Sequence, residues 1–408
     1  MHKTQKKIVV IGGGAAGFFS AITCAELYPE YEVTIVEQSS QLLQKVKISG
    51  GGRCNVTHNC FDVKQLVKNY PRGEKQLIGP FMRFNPAHTF DWFELRGVEL
   101  KAEPDGRCFP VTDSSQTIMD CFLREAHRLG ISISINSGVD KLIQLDDFCW
   151  EIHLASGKIL NAEAIIMASG SSLRVWKMLQ QLGHTIVPPV PSLFTFNIKD
   201  PRLKDLQGVA VGSATVKIGT LKNLTTSGPL LITHWGMSGP AILRLSAWGA
   251  RALAAVNHQF EIEVNWCAGQ SFEAVKGALL HYREHHARKA IVNHPLFQLP
   301  RRLWERLTSL LLKNTHLNFA DLSNRQIEML AQELVSAKFT VTGKSTYKDE
   351  FVTAGGVDLD EVDFKTMQSR LFPRLYFAGE VLDIDAITGG FNFQAAWTTG
   401  FIAGNLQC

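Results

Sequence analysis

"KKIVVIGGGAAGFFSAITCAELYPEYEVTIVEQ", residues 6–38, is the stretch whose reading decides the fold. The apolar run at 7–11 reads as a strand, 12–14 as a turn, 15–27 as a helix and 32–36 as a second strand. A strand, a helix and a strand in that order make a βαβ unit, and the crossover forces the two strands to be parallel. Gly12, Gly14 and Gly17 spell G-x-G-x-x-G at the mouth of the helix, and Glu37 closes the second strand. The first glycine permits a tight turn, the second lets backbone approach a pyrophosphate, and the third lets helix pack on strand. The helix start adds unpaired N–H groups and roughly half a positive charge. Glu37 stands where an acid accepts hydrogen bonds from an adenosine ribose, so the stretch predicts a dinucleotide site.

Working outward, 408 residues exceed one ordinary core and imply two or three domains. A hydrophobic share of 45% with 20% charged residues reads as globular. The net charge of +4, from 42 basic against 38 acidic residues, is a weak argument for a polyanionic partner, so nucleic acid is not expected. The eight cysteines show neither CxxC pairs nor the density of a secreted disulfide scaffold, which points to a reducing cytoplasm. The N-terminal apolar run is too short for a signal peptide or a span. "GPLLITHWGMSGPAIL" (228–243) holds His234 and two prolines and does not suit a bilayer, so no membrane is expected.

Further along, a helix is expected at 115–129 and a buried strand at 164–168, and "VPPVPS" (187–192) reads as a linker. Strand-like runs then surround one helix beginning near Pro240, with Ser238 as its N-cap, and 271–335 read as almost wholly helical. From about 345 the βα texture returns, with a strand at 374–378. The expected fold class is therefore α/β. A Rossmann-like nucleotide-binding domain is built from both chain ends, 1–187 and 345–408, and is interrupted by an insertion at 188–344 with a helical subdomain at about 270–335.

The G-x-G-x-x-G motif leaves the choice between NAD and FAD open; the C-terminus favours FAD. A flavin needs a second set of contacts, and "YFAGE" (376–380) followed by "TGGFNFQAAW" (388–397) supplies one. Gly379 and Glu380 end a strand, where the acid can bind ribityl hydroxyls. Gly389, Gly390 and Asn392 open a helix whose amides would face the N1–C2=O edge and favour reduction of the ring. The bland alternative is a C-terminal helix with an ordinary glycine entry.

These segments, with "GGGAAG", "SGGGRCNVT", "DGRCFP", "VTAGGV", "TMQS" and "LYFAGEVLD", resemble signatures of the BaiN-like, or aminoacetone-oxidase-like, NAD(P)/FAD-dependent flavoproteins of the two-dinucleotide-binding-domain superfamily. The resemblance runs nearly end to end. It implies an FAD-dependent oxidoreductase with NAD(P)H as a candidate transient donor, and an inserted β-barrel-like domain carrying a helical subdomain. It places the cofactor contacts on Gly12, Gly14, Ala15, Gly17, Glu37, Gln38, Gly52, Arg53, Asn55, Val139, Ala168, Gly379, Glu380, Asp383, Gly390, Phe391 and Asn392, and Lys45 matches the family lysine. Two departures stand out. Ser169-Gly170-Ser171-Ser172 replaces a usual Ala-Thr-Gly-Gly continuation, and His58 replaces an asparagine, a change expected to touch only the loop beyond Asn55.

A second glycine run, "KISGGGRCNVTHNC" (47–60), admits three readings. A dithiol reductase would use Cys54 and Cys60, but their C-x5-C spacing is unusual, no helix start lowers a thiol pKa, and no second G-x-G-x-x-G follows residue 17. A mere turn is the bland reading. The preferred one is a cradle, in which successive glycine N–H groups form an anion nest, Arg53 adds charge, and Asn55 lies near the ring.

For chemistry, His234 and Asn55 are the candidate catalytic residues, His234 as general acid or base, against the alternative that it only holds a strand–helix corner. "ALLHYREHHARKAIVNH" (278–294), with Arg301 and Arg302, is the most basic helical stretch and suggests an alternative, an RNA-associated flavoprotein docking through it. Its charges also suit a solvated helix face. His281 and His285 share a face but lack an evident third ligand, so no metal is expected. The leading expectation is hydride transfer between flavin N5 and a small organic substrate; the oligomeric state is not legible.

Overall fold

The opening segment forms β1 (Lys7–Ile11), α1 (Ala15–Leu27) and β2 (Glu32–Val36) in a computed structural model that describes residues 6–219, 224–314, 316–345 and 352–406. β1 pairs in parallel with β2 and with the strand Ala164–Met167, setting Val10 opposite both Ile35 and Ile166. Ile8 to Ile11 are buried, as expected of a continuous apolar strand covered on both faces. The late strand Leu375–Phe377 adds in parallel beside Ala164–Met167, which returns the chain's end to the sheet its beginning started. Strands Gln368–Ser369 and Val362–Asp363 extend that edge antiparallel, and Ser132–Ser134 closes the other, giving seven strands.

The chain divides into two compact units, 1–190 with 348–408, and 191–347. In the first, α1 and the C-terminal helix Phe391–Gly404 are apolar on every side because both are buried. Phe19 meets Trp92 and Trp397 at centroid distances of 4.6 and 5.6 Å, and Phe122 meets Trp397 at 5.4 Å. Each buried ring of this kind contributes about 1.5–3 kcal/mol before conformational entropy is charged. "VPPVPS" crosses the boundary between the two units at 190/191, as a linker would, but it is not irregular. Ile186–Ser192 is a strand paired with Val352–Val357 in a two-stranded sheet, an edge-type setting that tolerates prolines without N–H donors.

The second unit carries an antiparallel seven-stranded sheet. Its two terminal strands, Ala337–Val341 and Gly343–Ser345, are separated by one residue of chain, so the sheet must curl until its edges nearly meet, as in a barrel. Helices Phe272–His285, Arg301–Leu312 and Asn324–Val335 pack Leu279, Trp304, Leu307 and Leu330 into a core shared with the sheet residues Val216, Val264 and Phe339. The helix Pro240–Ala255 begins at Gly239 rather than at Ser238; Ser238 lies in a short strand and its hydroxyl accepts from Thr195 Oγ1 at 3.0 Å. Among the described residues no helix is long and apolar enough to cross a membrane.

Candidate functional site

At the phosphate end, sterics dictate two glycines. Gly12 has φ +117°, and a Cβ there would lie 2.3 Å from the Ala168 carbonyl oxygen; a Cβ at Gly17 would lie 1.9 Å from the Gly12 oxygen. Glu37 is oriented by two backbone donors, Gly13 N at 2.7 Å on Oε2 and Ser39 N at 2.8 Å on Oε1. Each carboxylate oxygen keeps a further lone pair for a ribose hydroxyl. Gly14 caps α1 with open space where a side chain would stand, and the first-turn amides of α1, beginning at Ala15, have no intrahelical acceptor. Ala168 is held by its N–H on Ile11 O at 2.8 Å, and the next residue, Ser169, buries its hydroxyl without a partner. Val139 is buried and Gln38 exposed.

Lys45 Nζ contacts Glu380 Oε2 at 2.5 Å and Ser171 Oγ at 3.4 Å, while Thr353 N donates to Glu380 Oε1 at 3.1 Å. Ser171, part of the Ser169–Ser171 departure, thus reaches the Glu380 carboxylate only through Lys45, to which it supplies an extra partner. Gly379 N donates to Thr399 Oγ1 at 2.8 Å, and half-buried Asp383 uses its N–H on Val357 O at 3.1 Å.

The second glycine run closes α2, Gln44–Gly52, with Gly50 (φ 59°, ψ 29°) and Gly51 (φ 69°, ψ 34°) left-handed and Arg53 (φ −94°, ψ −18°) right-handed again. Gly52, at φ +85°, has no atom near its missing side chain. Adjacent residues of opposite hand turn successive N–H groups to one side, the geometry of an anion nest. Arg53 does not leave a free charge beside these amides. Its guanidinium lies 3.9 Å over the Phe109 ring, with Nη1 2.7 Å from Glu103 and 3.4 Å from Asp113. Burial pushes the Cys54 thiol up to about 12 and also raises that of half-buried Cys60. Neither is a thiolate at neutral pH.

Asn55 joins this run to the C-terminal helix. With its amide turned to suit its neighbours, Nδ2 donates to Thr57 O at 3.0 Å and Cys108 O at 3.3 Å, and Oδ1 accepts from Gly390 N at 3.0 Å. Gln394, fully buried, accepts from Thr57 Oγ1 at 2.5 Å and Thr89 Oγ1 at 2.9 Å and donates to Thr398 at 3.1 Å. Trp397 Nε1 donates to Val56 O at 2.8 Å, and Tyr70 donates to the Phe391 carbonyl at 2.6 Å. Asn392 grips the backbone of Ala386 in both directions, at 2.9 and 3.2 Å, and Arg72 pairs with buried Asp385 beside it. The Gly390 N–H and the Asn392 side chain are therefore engaged within the chain. The backbone amides of Phe391, Asn392 and Phe393 remain for a ligand, as at any helix start. His58 reaches further than the loop beyond Asn55, because it stacks on Phe391 at 4.5 Å and 18°.

A family model described as "HI0933-like protein Rossmann domain" matches residues 6–406. The chain belongs to that family. It is an FAD-dependent oxidoreductase. It is similar to a protein named ribosomal RNA dihydrouridine synthase of Escherichia coli K12, 28% identical over 403 residues and 96% of each chain. It is also similar to the 3-dehydro-bile acid delta(4,6)-reductase of Clostridium scindens, 25% identical over 410 residues and 98% of each chain. Among solved structures, a 3-ketosteroid-Δ4-(5α)-dehydrogenase from Rhodococcus jostii RHA1 superposes with a TM-score of 0.51 at 13% identity, covering 100% of this chain and 97% of that one, a likeness of fold. The family's cofactor fits what the structure offers: glycines that tolerate no side chain at 12 and 17, open space at 14 and 52, and an orphaned buried hydroxyl at Ser169.

His234 lies apart from these residues in sequence and unit. It is exposed on the turn between strands Thr225–Ile232 and Gly236–Ser238, next to exposed Trp235, and Thr233 Oγ1 braces that turn by accepting from Trp235 N at 3.3 Å and Gly236 N at 3.2 Å. His281 and His285 lie 4.0 Å apart with their rings tilted by 35°, and among the described residues no group of three or more His, Cys, Asp or Glu side chains is arranged to hold a metal ion. The sequence reading missed Gln394, Thr57 and Thr89, whose only signal was polarity inside apolar segments. It also missed His184, which is buried with Nδ1 2.8 Å from Glu361 and Nε2 3.1 Å from Ser369 Oγ.

Proposed function

We propose that the protein reduces a carbon–carbon double bond conjugated to a carbonyl. The observation that carries this reading is that two end-to-end relatives with dissimilar names share one bond change. A 3-oxo-Δ4,6 bile acid holds its alkenes in conjugation with the ketone, and dihydrouridine is uridine whose C5=C6 bond, conjugated to C4=O, has been saturated. The cysteines support the same direction, because reduction of an activated alkene needs no protein nucleophile and the Cys54 and Cys60 thiols are held protonated. Bound FAD supplies a hydride at N5, with NAD(P)H as the proposed donor.

The chain's own part in this reading is binding, orientation and one proton. The α1 start and the 50–54 nest neutralise the diphosphate. Glu37 and Gln38 take the adenosine side, Lys45, Gly379, Glu380 and Asp383 the ribityl side, and Val139 and Ala168 wall the adenine half. Asn55 and Gly390–Asn392 set the ring edge. His234 is the proposed donor of the proton to the α carbon. Its test is His234→Gln, expected to keep FAD and to lower the rate of substrate reduction at least tenfold.

The reading as a whole is tested anaerobically. NADH or NADPH should bleach the visible flavin band, and a 3-oxo-4,6-diene bile acid, uridine or a uridine-containing RNA should restore it. A band restored by none of the three would overturn the proposal. A second, narrower reading makes the substrate a uracil base within RNA, and the side chains at 281–301 favour it.

A further inference from the structure

Three cations of the described 191–347 residues pair with acids of the same unit. Arg202 pairs with Asp200 at 2.7 Å and Glu333 at 2.8 Å, Lys276 with Glu328 at 2.6 Å, and Arg306 with Asp205 at 3.6 Å. One region differs. Arg288, Lys289 and Arg301 are exposed and form no ion pair among the described residues.

Aromatic and imidazole rings lie among these cations. His281 and His285 lie 4.0 Å apart at a 35° tilt, Tyr282 and His286 4.2 Å apart at 47°, and Lys289 Nζ sits 5.9 Å from the Tyr282 centroid. Arg301 reaches Asn293 Oδ1 at 3.2 Å, beside His294. The His286 imidazole is held below its usual range by burial and then by Lys289, His285, His281 and His294, so these groups feel one another's charge. Glu273 and Glu284 are the exposed acids on the same helix, Glu305 is exposed one turn beyond Arg301, and Asp321, on the neighbouring segment, is engaged with Asn318 N at 2.8 Å.

The loop bearing Arg288 and Lys289 is pinned. Ala287 and Lys289 carbonyls accept from Ala320 N and Phe319 N, and Ile291 N donates to Leu317 O, all at 3.0 Å; Trp304 Nε1 donates to Ile291 O at 2.7 Å. Like charges fixed side by side repel one another, and a polyanion relieves that repulsion. Rings interleaved with cations suit unpaired bases, which stack on any flat face. Leu279, Ile291, Leu303 and Leu307 of the same elements are buried, which disfavours insertion into a bilayer.

We propose that the face formed by His281, His285, Arg288, Lys289, His294 and Arg301 docks single-stranded RNA through its phosphates. This deepens the second reading above and rests on it only for the fate of the bound base. The test uses the full FAD-loaded chain and a short fluorescent uridine-containing RNA, with anisotropy followed across KCl concentrations. Three phosphate contacts at ~0.7 each give a log–log salt slope near ~−2. The combined variant R288A/K289A/R301A should bind at least tenfold more weakly, with a nearly flat slope and an unchanged flavin spectrum, whereas K276A, at a paired site, should bind almost as the parent does. A triple variant with parental affinity and slope would overturn the proposal, as would tighter binding to phosphatidylserine vesicles than to RNA. Reduction of a conjugated ketone by the same triple variant separates the two ideas. Loss of RNA binding with intact ketone reduction leaves the reductase reading standing, whereas a parent chain that binds RNA with the expected slope, a slope lost in the triple variant, but reduces no conjugated ketone rejects the reductase reading alone.

Discussion

The seam around Gln394 and the face around Arg288 are both polar, yet they use polarity in opposite ways. At the seam Asn55, Thr57, Thr89, Gln394 and Thr398 satisfy one another out of water, so the first loop and the last helix fit in a single arrangement. A fully partnered buried network specifies geometry, which a ring-binding edge needs. At the face, cations are fixed in place but unanswered, and what they gain must come from outside the chain. Polarity turned inward builds a site; polarity left outward waits for a partner.

The largest test addresses whether the seam's side of the comparison concerns a cofactor at all. Gly12→Ala puts a Cβ 2.3 Å from Ala168 O on a backbone at φ +117°. The variant should purify with at least tenfold less flavin per chain, read from the visible band, while its RNA salt slope stays parental. Full flavin retention would detach the glycine turn from the cofactor. Next in size is Gln394→Leu. It strands the Thr57 hydroxyl and leaves that of Thr89 only a 3.4 Å bond to Asn85 O, at a cost of about 1–3 kcal/mol for the lost partner, to be seen as a lower urea midpoint, whereas Arg288→Ala should shift stability by less than about 0.5 kcal/mol. Equal shifts for the two variants would erase the distinction drawn above.

A third test asks whether buried networks in the first unit respond to pH as inward polarity should. Burial holds the His184 imidazole below 6.5, outweighing the Glu361 bond that acts in the other direction. Burial pushes the Glu361 carboxyl up, but its bonds to Thr185 and His184 outweigh this and hold it below its ordinary 4.5. Neutral His184 donates from Nδ1 to Glu361 and accepts at Nε2 from Ser369. Both folded pKa values are depressed, so the unfolded chain takes up protons that the folded chain refuses. The stability they confer is complete above about pH 6.5, falls first through His184 and then, below 4.5, through Glu361. The urea midpoint should follow that descent, and His184→Gln should flatten its upper part.

How much of this was legible beforehand follows from range. The βα opening was readable because its signals are local: glycines at a strand end, an apolar run, and an acid at the end of the next strand. The helix at Pro240 and the helical run after 271 were legible for the same reason. "VPPVPS" was legible as the join between the units but not as a strand, because its partner at 352–357 lies far along the chain. Arg53 looked like a phosphate ligand by neighbourhood, but Glu103, Asp113 and Phe109 arrive from other segments and engage it. Gln394 was invisible because a glutamine in an apolar helix announces nothing until Thr57 and Thr89 are set beside it. His58 and Phe391, far apart in sequence, meet only after both chain ends share one sheet.

The smallest expected effect belongs to the cysteines, and it sharpens the comparison by removing a rival use of the seam. A dithiol mechanism needs one thiolate at neutral pH and two sulfurs that can meet. Cys54 is wholly buried with its thiol pushed up to about 12, Cys60 is raised by burial and then by Asp62, and both are free. Native protein should therefore resist iodoacetamide at Cys54 over hours near pH 7, and labelling should appear only on unfolding. Cys54→Ser together with Cys60→Ser should change the rate of flavin reduction by NAD(P)H less than about twofold, since no thiolate is lost. A large fall in that rate without loss of bound FAD would restore the dithiol reading. It would also mean that the loop leading into Asn55 conducts electrons as well as holding the last helix in place.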